Sequence, residues 1–318
     1  MVSASIEEVP LATYVTSDAH GHLRALDRVL EASGVGADDT LYVLGDMIDR
    51  GPEPLGVIHL VRGLADSHGI GQVHVLKGNH EGLMLDALQG ATPYSEGDWE
   101  INGGWVTAGQ LDALPREQAD DIIAWMRGLP LYDVVKVEDR FAPRPRPASD
   151  VAPASGAAPT CMRTYMLCHA GINAPAAHAY LAASGIPVER PGVLQNLDAS
   201  VLYVMMGTQK TEDLLWIREE FWGRPTGFVD GEGRGPLVVA GHTPSVLIQR
   251  YAGHTHGPVL NADERALVVE VGACQDTGGV ADRIDIDASA AGGAPHGQVA
   301  VMRLEDHCVW YAPVKEGE

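Results

Sequence analysis

Short apolar runs that stop at polar turn residues recur along this chain of 318 residues. LATYVTS (11–17), TLYVLG (40–45), VHVLKG (73–78), TYMLC (164–168) and PLVVAG (236–241) are β-rich and bounded by turn residues, the pattern of buried strands. Between the early runs the period changes. Leu23, Leu26, Val29 and Leu30 mark one helical face, and Leu55, Ile58 and Leu64 another. Alternating strands and helices predict an α/β layered fold. Residues 83–128 read as a mostly helical cap, with Trp99, Trp105 and Trp125 assigned to packing rather than stacking, and 174–222 also read as helical. The Pro/Ala-rich 142–160 reads as a flexible loop within a single domain, 1–318. The tail alternates strands and glycine turns through DRIDIDAS and GQVAVMRL.

The ends of the five apolar runs carry a second pattern. They deliver Asp18-Ala19-His20, Asp46 through Gly51, Asn79-His80-Glu81, His169 and His242. In open α/β sheets a ligand sits beyond the carboxyl ends of the strands. Ligand-type residues at five such ends point to one active site.

Composition narrows the partners. With 43 acidic against 22 basic residues the formal net charge is −21, which disfavours nucleic acid or a membrane surface as a main partner. Carboxylates also hold hard cations. The four cysteines include no CxxC pair, so no zinc knuckle is written here. The N-terminus lacks the basic start and apolar stretch of a signal peptide, and no run is long enough to span a bilayer, so the cytoplasm is the expected location.

The polar residues sort by what a metal needs. Asp18, His20 and Asp46 offer two carboxylates and an imidazole; Asn79, His169 and His242 offer an amide oxygen and two imidazoles. A carboxylate such as Asp46 can bridge two ions, and mixed nitrogen and oxygen donors without thiolate suit manganese first, with iron or zinc as alternatives. Two divalent ions would activate water and clamp an in-line displacement at phosphorus. Arg50 and Arg218 are the candidate phosphate clamps, through the bidentate guanidinium fork. His80 adjoins a ligand and reads as the general acid, with Asp49 orienting its ring.

Taken in order, SDAHGH, LGDMIDRG, GNHEG, CHAGI and AGHTP resemble the metallophosphoesterases, specifically the bacterial and phage-type members of their phosphoprotein phosphatase branch. LLWIREEFW is similar to the stretch in which those proteins carry a phosphate-binding arginine. The resemblance implies a four-layer sandwich of two facing mixed β-sheets flanked by helices. It implies Asp18, His20 and Asp46 around one ion, Asp46, Asn79, His169 and His242 around the other, His80 as acid with Asp49, and no phosphoenzyme. Ser17 stands where most members have Gly.

The leading expectation is a serine/threonine protein phosphatase acting on a phosphorylated protein or peptide. A symmetrical diadenosine tetraphosphate hydrolase, or another nucleotide phosphatase, keeps the site and changes the substrate. A non-catalytic metal-binding interaction module is the alternative of another class. His254-Thr255-His256 reads as a solvated loop rather than a third metal site, Cys168 as buried packing, and Asn102-Gly103-Gly104 as a turn near the substrate rim.

Overall fold

A computed structural model describes residues 11–140, 161–253 and 255–318. Its strands are β1 (Thr13–Thr16), β2 (Thr40–Val43), β3 (Gln72–Val75), β4 (Tyr132–Asp139), β5 (Cys161–Cys168), β6 (Leu237–Ala240), β7 (Thr255–His256), β8 (Val269–Val271), β9 (Arg283–Asp285), β10 (Gln298–Arg303) and β11 (Val309–Pro313). The first sheet runs β11-β10-β1-β2-β3, with β1, β2 and β3 parallel and β10 antiparallel to β1. The second runs β4-β5-β6-β9-β8-β7, with β5, β6 and β9 parallel at its centre. Both sheets are mixed, and each has a parallel trio whose carboxyl ends can share one rim.

Period-two alternation explains why the sheets face each other. Val15, Tyr42 and Leu44 from the first sheet meet Tyr165, Leu167 and Val239 from the second in one apolar layer. Their neighbours Tyr14, Leu41 and Val43 point the other way, onto the helices Leu23–Ser33 and Pro54–Arg62. Met166, Cys168, Val238 and Ala240 likewise leave the shared layer and pack with the helices Ala174–Ala183 and Ala199–Met206. Side chains on successive strand residues serve opposite faces, so each central strand is apolar on both. The result is four layers: helices, sheet, sheet, helices.

The helices Asn79–Gln89, Ser95–Ile101, Trp105–Asp112 and Arg116–Arg127 fill most of the expected cap. Trp99 is buried and Trp125 packs beside the core under Arg62, whose guanidinium lies 5.5 Å from its ring. Trp105 departs from the packing expectation and is exposed. The 174–222 stretch is less continuous than its composition suggests. Its helices Thr211–Trp216 and Glu219–Trp222 are short, because extended Ile217 and the irregular backbone of Arg218 separate them. The 142–160 segment lies outside the described residues. So does His254, whereas Thr255–His256 form edge strand β7 rather than a loop, paired antiparallel to β8. No helix among the described residues is long and apolar enough to cross a membrane.

Candidate active site

Backbone strain marks the site before any side chain is considered. Nine non-glycine residues among those described have positive φ, and six of them are Asp18, His20, Asp46, Asp49, Arg50 and His242. Such conformations each cost about 1–3 kcal/mol and persist where the surroundings over-determine them, typically at functional sites. The turns after β2 and β3 press together without side chains between them. A Cβ on Gly45, at φ 95°, would fall 2.3 Å from Gly78 N, and one on Gly78 would fall 2.1 Å from Asp46 Oδ1. Glu81 locks the contact, its buried carboxylate accepting from Asp46 N at 2.9 Å, Met47 N at 2.8 Å and Gly78 N at 2.8 Å. Burial raises the Glu81 carboxyl above its usual range, although those three donors pull the other way.

The six candidate ligands converge from both sheets. His20 Nε2 lies 3.4 Å from Asp46 Oδ2 and 3.9 Å from Asp18 Oδ1. On the other side of Asp46, His169 Nε2 lies 3.4 Å from Oδ1 and 2.7 Å from Asn79 Oδ1. His242 Nδ1 completes the group, 2.8 Å from the same Asn79 oxygen, and His242 N donates to both Asp18 oxygens at 3.1 Å. Asp46 stands between the two sets, with its Oδ1 held by His80 N at 3.0 Å. All six side chains are buried.

The tautomers test whether cations fit. His20 Nδ1 donates to Ile48 O at 3.0 Å and His169 Nδ1 to Leu44 O at 2.9 Å. Each ring therefore turns an unprotonated Nε2 lone pair toward the carboxylate of Asp46, lone pair against lone pair. Burial keeps these rings neutral: it pushes His169 down to about 3 and holds His20 and His242 well below the usual imidazole range. Asp18 and Asp46 are raised well above the usual carboxylate range, by burial first and then by neighbouring carboxylates. Neutral imidazoles fixed by a carbonyl on the far nitrogen, facing crowded carboxylates, are what a divalent cation requires. The donor set fits.

Beside this group stands a row of three residues. His80 Nδ1 is 2.7 Å from Asp49 Oδ2, and Arg50 Nη2 lies 3.3 Å from His80 Nε2. His80 Nε2 is also 3.9 Å from Asp46 Oδ2, near enough for His20, Asp46 and His80 to count geometrically as a third way of holding an ion. The Arg50 guanidinium argues against it, because a cation already occupies the open side of that nitrogen. The cleft above has a volume of about 240 Å³, and its walls include His80, Arg50, Arg218, Asn102 and Trp216. Asn102 thus reaches the rim, as its turn suggested. Arg218 Nη2 reaches His242 O at 3.4 Å, while its buried Nε has no partner among the described residues.

Several contributors were not singled out in the sequence. Asp287 follows β9 and lines the cleft, and burial pushes it up to about 6 although Arg50 and Arg218 draw it the other way. Asp285 is buried at the end of the same strand, with Oδ2 unpartnered among the described residues. The signal was slight: in RIDID two isoleucines alternate with two aspartates at a strand end. Cys168 packs inward as expected, and burial pushes its thiol up to about 12.

The sequence model of calcineurin-like phosphoesterases matches residues 11–272. The chain belongs to the calcineurin-like phosphoesterase family. Among curated phosphoesterases it is similar to the symmetrical bis(5'-nucleosyl)-tetraphosphatase of Pectobacterium atrosepticum, with 32% identity over 125 residues, 39% of this chain and 39% of that protein. It is also similar to the protein so named from Delftia acidovorans, with 34% identity over 122 residues, 38% of each. The matched region thus spans under two fifths of these relatives' length. A solved structure described as a putative diadenosine tetraphosphatase aligns with 98% of this chain and 96% of its own, at 15% identity and a TM-score of 0.47. A cold-active protein-tyrosine phosphatase of a psychrophile Shewanella sp. does so with 95% and 80%, at 18% identity and a TM-score of 0.45. At these scores neither likeness bears on the chemistry.

Proposed function

We propose that this phosphoesterase-family chain is a dinuclear-metal-dependent phosphomonoesterase acting on phosphoserine or phosphothreonine in proteins. The observation that carries the reading is the row Asp49–His80–Arg50 beside the shared carboxylate of Asp46, an acid and an anion clamp facing one cleft. Asp18, His20 and Asp46 would hold one ion, and Asp46, Asn79, His169 and His242 the other. Manganese is the first choice for a thiolate-free donor set, with iron and zinc as alternatives. When bound, such ions activate the attacking water and neutralise phosphate charge. The side chains account for the remainder. Arg50 and Arg218 orient the phosphate oxygens, the latter with an Nε free for an anion. Asp49 accepts from Nδ1 of His80, and when the ring is an imidazolium its second proton sits at Nε2, where the leaving alkoxide would take it.

Charge supports a single phosphate rather than a chain of them. The groove beside the cleft is lined by Glu212, Asp213, Glu219 and Glu220, and Arg218 is its one cation among the described residues. A tetraphosphate bridge would find little to neutralise it there. The second reading, hydrolysis of a dinucleoside tetraphosphate, is favoured by the names of the curated relatives. Phosphate release from a phosphothreonine peptide and ADP formation from diadenosine tetraphosphate by the manganese-loaded protein, measured side by side, decide between them. Peptide turnover lost on chelation is expected. Dinucleotide cleavage with an idle peptide would replace the first reading by the second, and inactivity on both would remove both.

A further inference from the structure

Asp49 is held from three directions. His80 Nδ1 meets its Oδ2 at 2.7 Å. Trp99 Nε1 donates to the same oxygen at 2.9 Å, and Thr107 Oγ1 donates to Oδ1 at 2.5 Å. Thr107 Oγ1 in turn accepts from Asp49 N at 3.1 Å, so one hydroxyl grips both ends of the residue. Trp99 and Thr107 are buried, and neither lines the cleft. Both belong to WEINGGWVT (99–107), of which the proposed reaction uses nothing. The glycines between them fit the same purpose. A Cβ on Gly104 would fall 2.4 Å from Trp99 Nε1, and Gly103 O accepts from Arg50 N at 3.3 Å. The stretch therefore seats the indole, the hydroxyl and the Asp49–Arg50 backbone together.

We propose that Trp99 and Thr107 are positioning residues for the acid His80, acting through Asp49; the inference rests on the phosphomonoesterase reading. A carboxylate accepts along four lone-pair directions. With Trp99 and Thr107 fixing its plane, the direction left to His80 is fixed too, and the imidazole is aimed so that Nε2 faces the cleft. Loss of either donor lets the carboxylate turn and the ring with it. The effect falls chiefly on proton delivery. It is large for an alkoxide that leaves only when protonated, and small for a nitrophenolate, which leaves without a proton.

The test compares wild type with Trp99→Phe, Thr107→Val and Thr107→Ser, each manganese-loaded, on a phosphothreonine peptide and on p-nitrophenyl phosphate. Trp99→Phe keeps an aromatic ring, though a smaller one, and drops the N–H, Thr107→Val keeps the shape and drops the hydroxyl, and Thr107→Ser keeps the hydroxyl. The first two are expected to lose about tenfold or more in kcat on the peptide and under about threefold on the aryl ester, with Thr107→Ser near wild type on both. In chelator-treated protein the low-field His80 Nδ1 proton, assigned by its absence in His80→Gln, is expected to shift in the first two variants and to stay in Thr107→Ser. Equal losses on both substrates, a Thr107→Ser as impaired as Thr107→Val, or an unmoved His80 proton would overturn the inference while leaving a phosphatase. If wild type releases no phosphate from either substrate the phosphomonoesterase reading falls, and the resonance alone then decides whether the clamp exists.

Discussion

Asn79 holds its side-chain oxygen 2.7 Å from His169 Nε2, bringing the turn after β3 in one sheet against the end of β5 in the other. The same oxygen faces His242 Nδ1 at 2.8 Å. Replacing Asn79 by Ala removes the one donor common to both rings. Bound manganese per chain, counted by elemental analysis after dialysis, is expected to fall from two toward one. Loss of outer partners alone costs 10–100-fold in metal sites, so phosphatase activity should fall by about 100-fold or more. Two retained ions would remove Asn79 from the ligand set.

His80→Gln separates acid from ligand. Two metals are expected to remain bound, because His80 is occupied by Asp49 and Arg50, while kcat on a phosphothreonine peptide drops by about 10²–10⁴. A matching loss of metal would instead make His80 a ligand, in line with its closeness to His20 and Asp46.

Arg50→Lys keeps the charge and loses the planar fork. Arg218→Ala loses both, along with the one cation in the neighbouring acidic groove among the described residues. Each is expected to raise KM by about tenfold or more, the value of one charge-assisted hydrogen-bonding pair, with metal content unchanged. An unaltered KM in Arg218→Ala would confine phosphate binding to Arg50.

Gly78→Ala adds one carbon at a point where no room exists. Its Cβ would lie 2.1 Å from Asp46 Oδ1 and 2.3 Å from Asp46 N, so the turn must open or the bridging carboxylate must move. The expected result is a chain with normal far-UV circular dichroism, weakened metal binding and activity reduced by orders of magnitude. Normal metal stoichiometry would show that the two turns can separate without cost.

In the metal-free protein two sets of buried groups should pull stability in opposite directions as pH changes. His169, pushed down to about 3, stays neutral in the fold while the unfolded chain takes up a proton, so its contribution is complete above about 6.5 and is lost as pH falls. The buried carboxyls have the opposite sign. Asp287, at about 6, and Asp18, Asp46 and Asp285, raised well above the usual range, bind protons in the fold that the unfolded chain has released. Their contribution therefore falls as pH rises past about 4, Asp287's share being lost by about 6, by up to about 1.4 kcal/mol per pH unit for each extra proton held. Melting in chelator at pH 5, 6.5 and 8 measures this, and added manganese should raise the pH 8 melt most. A chelated protein that melts highest at pH 8 would contradict the carboxylate argument.

Much of the site was legible because its candidate ligands follow strands within one to four residues. Asp18, Asp46, Asn79, His169 and His242 each close an apolar run, and the spacing of Asp46, Asp49 and Arg50 follows from one turn. What escaped depends on long separations. Trp99 and Thr107 reach Asp49 across 50 and 58 residues of chain, and nothing in WEINGGWVT shows which polar group its indole will meet. Glu81 stands with Asn79 and His80 at a strand end, but nothing local shows that its carboxylate holds Asp46, 35 residues earlier. Asp287 was hidden in a tail that reads as strand and turn.

The sequence by itself determined the layers and the chemistry available to them. Period-two alternation gave β1, β2, β5 and β6 two apolar faces, and steric limits on φ and ψ made the residues after them turn. Those are local effects, set by neighbours a few positions away. The tertiary structure alone decided that β10 pairs with β1 and β9 with β6, and that the two parallel trios bring their carboxyl ends together. Pairing across so long a chain is chosen by burial of the layer between the sheets, a sum over Val15, Leu44, Leu167, Val239 and their neighbours that no single segment carries. That sum places Asp46 between His20 and His169, and thereby turns separate strand ends into one site.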